Sequence, residues 1–359
     1  MKLFDAGALR AAADDARLSA ANDLVQRTLA RHGLLSGTDA SRSGGRHTGG
    51  LAGLMARMPN AGAGAAPAHT AVPQGAQFLQ DTYTGPAGSR MYRTYVPASA
   101  KAGAGGVIMM LHGCTQSPED FAAGTGMNEL AEKHGFVVIY PAQSRGDNAQ
   151  SCWNWFSRGD QRRDRGEPAI LAGMASRVCA AHDIVRDHTF VAGLSAGGAM
   201  AAILGETYPD VFAAVGVHSG LPVGAARDVP SAFAAMGGNI LDAPIRPRSG
   251  STVRTIVFHG TADATVSPKN GESVARRALD SNTRQSLETH ERGHANGRNF
   301  SRVISSDANG AAVVEHWRID GQGHAWSGGS TGGSYTDPKG PDASAEMVRF
   351  FFDNPDRVK

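Results

Sequence analysis

Short unbroken apolar runs alternate with longer stretches of helical period along most of the chain from Arg90 onward. Residues 107–111 are apolar throughout and read as a central strand covered on both faces, and 136–141, 189–193, 212–218, 254–258 and 313–319 read as further strands of the sheet. Residues 119–134, stopped by Gly135, and 167–183, with Pro168 in the first turn, read as helices. The small-residue run from Ala196 to Ala202 starts another helix, and residues 343–352 close the fold. Residues 90–97 alternate and predict an early, partly exposed strand. Strands alternating with helices mean an α/β architecture with a mostly parallel central sheet and helices on both faces.

Two regions depart from this pattern. In residues 1–35, Leu18, Ala21, Val25 and Leu29 recur at helical spacing and Gly33 is a stop signal, which predicts an N-terminal helical segment. That helix either packs on the main domain or docks on a partner or a hydrophobic polymer particle. Residues 36–76 are rich in Gly, Ala, Ser and Pro and read as a flexible linker, leaving 77–359 as the catalytic domain. Within that domain, 143–164 is a polar, aromatic loop, and 220–250, with four prolines, reads as a lid or pocket wall.

Composition narrows the function classes. The chain has 359 residues and is 41% apolar, enough for a large core, and its net charge of +2 gives no reason to expect nucleic acid as a partner. No run of about 18 apolar residues suggests a membrane span. The first residues carry no unbroken apolar core of a secretion signal, so a cytoplasmic protein is expected. Three cysteines, Cys114, Cys152 and Cys179, show no metal-ligand spacing. Cys114 and Cys152 both fall in active-site loops and could pair, but a reducing compartment favours free thiols.

The chemistry centres on Gly193-x-Ser195-x-Gly197, set between a strand and a helix. A serine there is forced into a tight turn that holds its hydroxyl out at the end of the sheet. A nucleophilic serine needs a base, an acid to orient it and an oxyanion site. Asp263 follows the 254–258 strand, and His324 lies between glycine-rich stretches after 313–319. The order Ser195, Asp263, His324 is that of α/β-hydrolases. The strand 107–111 ends in His112-Gly113-Cys114, which predicts Cys114 and Ala196 as the oxyanion amides. Asp320 is the main rival to Asp263, and His218 and His259, ending core strands, are the main rivals to His324. No metal or cofactor is required for acyl transfer through such a triad. His112 is expected beside the pocket, and Trp153, Trp155 and Trp326 are candidates for the substrate groove.

Together, Leu111-His-Gly-Cys-Thr-Gln116, Ser151-Cys-Trp-Asn-Trp-Phe156, Gly193-Leu-Ser-Ala-Gly-Gly-Ala-Met200, His259-Gly-Thr-Ala-Asp263 and Gly323-His-Ala-Trp-Ser-Gly-Gly329 resemble the polyhydroxybutyrate depolymerase family of esterases. The tail from Gly333 to Asp342 fits as well, and the resemblance runs from about residue 77 to 353. It implies an α/β-hydrolase fold, Ser195, Asp263 and His324 as the triad, and hydrolysis of short-chain poly(3-hydroxybutyrate) in granules or as oligomers. The same family includes feruloyl and acetylxylan esterases, so a carboxylesterase for small esters is the alternative. A serine peptidase, or a granule protein without catalysis, would also use this fold.

Overall fold

Six strands whose residues are almost all buried run parallel through the centre of a ten-stranded sheet. The structure is a computed structural model and describes residues 72–241, 253–281 and 287–353. The chain divides into two units, Met1–Asn60 and Ala61–Lys359. The N-terminal helix and nearly all of the linker expected from the sequence lie outside the described residues.

The chain enters through an antiparallel hairpin, β1 (Gln77–Gly85) and β2 (Gly88–Val96). Then come β3 (Val107–Leu111), α1 (Pro118–Thr125), α2 (Met127–His134), β4 (Val137–Pro141), α3 (Gly166–Ala181), β5 (Thr189–Leu194), α4 (Ala196–Thr207) and β6 (Ala214–His218). They are followed by α5 (Val229–Met236), β7 (Arg254–Gly260), α6 (Lys269–Asp280), the hairpin β8 (Leu287–Ala295) and β9 (Arg298–Ser306), and β10 (Ala312–Ile319). A small pair, β11 (Trp326–Ser327) and β12 (Thr336–Asp337), precedes the last helix, α7 (Ala343–Phe352). The order across the sheet is β1-β2-β4-β3-β5-β6-β7-β10-β9-β8.

Side chains along a strand point alternately to the two faces. Val107, Met109, Val191, Val215 and Val257 enter one core, with Leu171 and Met174 of α3 and Met200 and Leu204 of α4. Their neighbours Ile108, Met110, Phe190 and Ile256 enter the other, with Met127, Ala131, Met347 and Phe351. This two-sided burial is why the central strands read as continuous apolar runs. Phe190 of β5 stacks on Phe351 of α7 at 4.9 Å between ring centroids.

Topology places the site. From β3 the chain moves to β4 on one side, then crosses back to β5 on the other. Loops leaving the carboxyl ends of β3 and β5 therefore diverge, and the crevice between them is where open α/β sheets bind ligands. Cys114 follows β3 and Ser195 follows β5, one on each side of that crevice.

The structure differs from the sequence reading in two places and describes part of a third. The helix over 119–134 is two helices, broken where Gly126 takes a left-handed φ of 63° and both ends α1 and starts α2. The β8–β9 hairpin was not anticipated, because β8 is largely exposed, β9 is mostly half-buried, and neither carries a sustained apolar alternation. In the described part of the expected lid, Leu221, Ala225 and Ala226 are buried. There α5 is held by a capping box at Asp228 and bonded to the start of α6 through Asn270 Nδ2 and Ala235 O at 2.9 Å. Residues 242–250 of that segment lie outside the described residues.

Candidate active site

Ser195 is the turn between β5 and α4, with φ 57° and ψ −119°. A non-glycine residue held there costs about 1–3 kcal/mol, and such strain concentrates at functional sites. Close packing enforces it. A Cβ on Gly197 would lie 2.0 Å from Leu111 O, and one on Gly193 would lie 2.4 Å from the carbonyl carbon of Gly197. The Ser195 amide donates to His218 O at 2.9 Å, anchoring the turn to β6. The Ser195 hydroxyl is partly exposed and hydrogen-bonds to none of the described residues.

Asp263 and His324 are brought together from the ends of adjacent strands, β7 and β10. His324 Nδ1 lies 2.7 Å from Asp263 Oδ2, while Oδ1 accepts the Thr265 and Val266 amides at 2.9 and 2.8 Å. Burial pushes the Asp263 carboxyl up, but hydrogen bonds from His259 and His324 outweigh it and hold the group well below the ordinary carboxylate range. The rival Asp320 is exposed, and its amide bonds to Asn299 O. Of the other rivals, His218 is fully buried, accepts the Ser327 amide on Nε2 at 3.0 Å, and is pushed down to about 3 by burial and the nearby His259 and His324. Such a ring is a structural link between β6 and the His324 loop.

The amides of Cys114 and Ala196 donate to no group among the described residues, so both are free to meet an oxyanion. Their loop is held on several sides. The Gly113 amide donates to Gln116 Oε1 at 2.9 Å, and His112 Nδ1 lies 2.7 Å from Gly113 O. The Gln143 amide donates to His112 Nε2 at 3.1 Å, and Trp153 Nε1 donates to His112 O at 3.1 Å. Thr115 N reaches Gln150 O at 2.8 Å, which sets the two loops side by side, and Cys114 and Cys152 are joined in a disulfide. The expectation of free thiols is therefore corrected for this pair; Cys179 is free and buried.

The groove candidates also need correction. His112 is buried with both ring nitrogens occupied, Trp153 and Trp326 are 0% and 1% exposed, and Trp155 is 6% exposed. Trp326 spends its N–H on Ser344 Oγ at 3.0 Å and sets its ring edge-to-face with Phe121. These side chains support the loops from inside and are nearly closed to solvent. Their motif position gave no sign of which way each side chain turns.

Sequence reasoning missed two groups. Glu167, at the start of α3, is buried and accepts from the Asn154 amide at 2.7 Å, Asn154 Nδ2 at 2.8 Å, Arg90 and Gln143. Burial pushes it up to about 7. Through Gln143 it backs His112, and so the loop that carries Cys114. At the rim, Tyr335, with a left-handed φ of 52°, places its hydroxyl 3.1 Å from Thr115 Oγ1, next to Cys114. A polar glutamate in a helical run and a lone tyrosine in a glycine-rich tail carry no pattern that would single them out.

A strained serine between a parallel strand and a helix, followed in chain order by an aspartate–histidine pair on the same sheet edge, is the architecture of an α/β-hydrolase. The acetyl xylan esterase from Aspergillus awamori has the same fold, with a TM-score of 0.62 at 21% identity over 77% of this chain and 98% of that one. The chain belongs to the Esterase PHB depolymerase family, whose model matches residues 90–286, as the motif resemblance implied. Poly(3-hydroxyalkanoate) depolymerase C of Paucimonas lemoignei is 32% identical over 251 residues, covering 67% of this chain and 59% of that protein. A probable acetylxylan esterase A of Aspergillus flavus is 30% identical over 224 residues, covering 57% and 71%. The chain thus spans less than two thirds of the depolymerase's length.

Proposed function

We propose that this chain is a serine esterase that hydrolyses poly(3-hydroxybutyrate) or its oligomers. The observation that carries the reading is the strained Ser195 beside the hydrogen-bonded Asp263–His324 pair. His324 takes the Ser195 proton as Oγ attacks the ester carbonyl. The oxyanion meets the Cys114 and Ala196 amides, and Asp263 holds the imidazole in its Nδ1–H tautomer and stabilises the imidazolium. His324 then protonates the departing alcohol, which in a polyester is the hydroxyl end of the shortened chain. Water, activated by the same histidine, releases the acid and frees Ser195.

The name of the Paucimonas lemoignei relative supports the polyester reading. That of the Aspergillus flavus relative favours a second one, a carboxylesterase for acetyl or feruloyl esters. Rates on amorphous poly(3-hydroxybutyrate) granules, soluble 3-hydroxybutyrate oligomers, p-nitrophenyl butyrate and acetylated xylan separate them. Release of 3-hydroxybutyrate from granules or oligomers at rates matching the aryl ester is expected. Turnover confined to acetylxylan and the aryl ester would replace the polyester reading with the second one.

The compartment is tied to the Cys114–Cys152 bond. Disulfides persist in oxidising compartments, so the bond favours such a setting over the cytoplasm expected from the sequence. Cells lysed directly into denaturant with iodoacetamide and no reductant provide the check. One labelled cysteine of the three is expected; three labelled cysteines would return the protein to a reducing compartment.

A further inference from the structure

Asp263 has a second histidine. His259, the penultimate residue of β7, is 1% exposed, and its Nε2 lies 2.8 Å from Val266 O and 3.4 Å from Asp263 Oδ2. A carbonyl oxygen only accepts, so Nε2 carries the ring proton and points it between the two oxygens. Nδ1 is buried with no partner. It faces Gly271 of α6, where a Cβ would lie 2.6 Å from it, so a larger residue there would crowd the ring. The Oδ2 atom that His259 approaches is the one that accepts His324 Nδ1.

We propose that His259 is a positioning residue of the triad: its Nε2–H pins the 260–266 loop through Val266 and shares the negative charge of Asp263 Oδ2 with His324. The inference rests on the esterase reading above for its kinetic consequence, and on geometry alone for the rest. A burial cost is accepted at Nδ1, an unsatisfied acceptor, to keep Nε2–H aimed at the acid loop. With this donor withdrawn, Asp263 presents more of its charge to His324. The imidazolium is then favoured to higher pH, so the free base appears later as pH rises.

The groups facing this cluster leave few other sources for such a shift. From β6 comes His218, already held near 3, and from β10 comes His316, pushed down to about 4 chiefly by burial. From α6, Gly271 brings no charge, Asn270 is uncharged and bonded to Ala235 O, and Glu272 lies half-exposed 3.9 Å from Arg318. Asp263 stays ionised throughout the range concerned.

The test uses the full chain, with His259→Met as a donor-free side chain of similar bulk and His259→Gln as one that restores an N–H. The pH profile of kcat/KM on p-nitrophenyl butyrate is read beside the titration of the low-field proton NMR signal of His324 Nδ1–H, which needs no substrate. In His259→Met the acid limb and the NMR midpoint should both rise by about half a pH unit. Its kcat should fall about ten- to a hundredfold with KM little changed, and His259→Gln should recover most of both. An acid limb and midpoint unmoved in His259→Met, with activity lost only in step with thermal stability, would overturn the proposal. Should His259→Met not fold, nitrogen-15 NMR of the wild type decides: a proton on Nδ1 of His259 sinks it, and one on Nε2 supports it. An enzyme inactive on every ester would overturn the esterase reading and leave the NMR test standing.

Discussion

Ser195→Ala should abolish ester turnover while leaving the fold intact. The substitution removes one oxygen that hydrogen-bonds to no described residue, so no buried partner is orphaned. The backbone strain at φ 57° is the same for alanine as for serine, so it gives no new cost. If Ser195 is the nucleophile, kcat should fall by up to about a millionfold, with the residue of rate left to the oxyanion amides and binding. Progress curves on p-nitrophenyl butyrate and on granules, read beside an unchanged melting temperature, make the check. Persistent activity in the variant would remove Ser195 from the mechanism.

Gly197→Ala should be the most damaging single methyl group in the site. The added Cβ would lie 2.0 Å from Leu111 O and 2.6 Å from His112 O, both backbone atoms of the strand end that leads to Cys114. No side-chain rotation relieves such a contact, so α4 or the end of β3 has to move. A loss of about 3 kcal/mol or more is expected, which for a domain of this size lowers the melting temperature by roughly 10 °C. Because the displaced segments carry the Ala196 and Cys114 amides, activity per folded molecule should fall as well. Gly323→Ala is the control: its Cβ would meet nothing within 4 Å. Thermal denaturation of the pair tests the claim, and equal melting temperatures would refute it.

The parts of this molecule that were legible in its sequence share a physical cause. Strands buried on both faces must be apolar at every position, so β3, β4 and β5 stand out as unbroken runs. The elbow and the Asp263 and His324 loops are legible because tight turns at strand ends demand glycine nearby. What stayed hidden depends on contacts between distant segments. Glu167 is defined by donors from three other places in the chain, and the disulfide by loops that meet only once the sheet has formed. Trp153 and Trp326 misled because an aromatic residue beside a catalytic motif looks the same whether it turns inward or outward. The β8–β9 hairpin is a two-stranded extension at the sheet's edge, with one hydrophobic residue, Leu287, left 73% exposed, and nothing in such a strand repeats strongly enough to announce it.

Cys114 carries two features at once: a main-chain amide that donates to no described residue, and a side chain that tethers that main chain to Cys152. Residues 144–147, which lie between the anchors Gln143 and Cys152, are exposed. That stretch is a natural place to graft new sequence, because the chain is fastened on both sides of it. Library diversity placed there would vary an exposed loop without loosening either anchor.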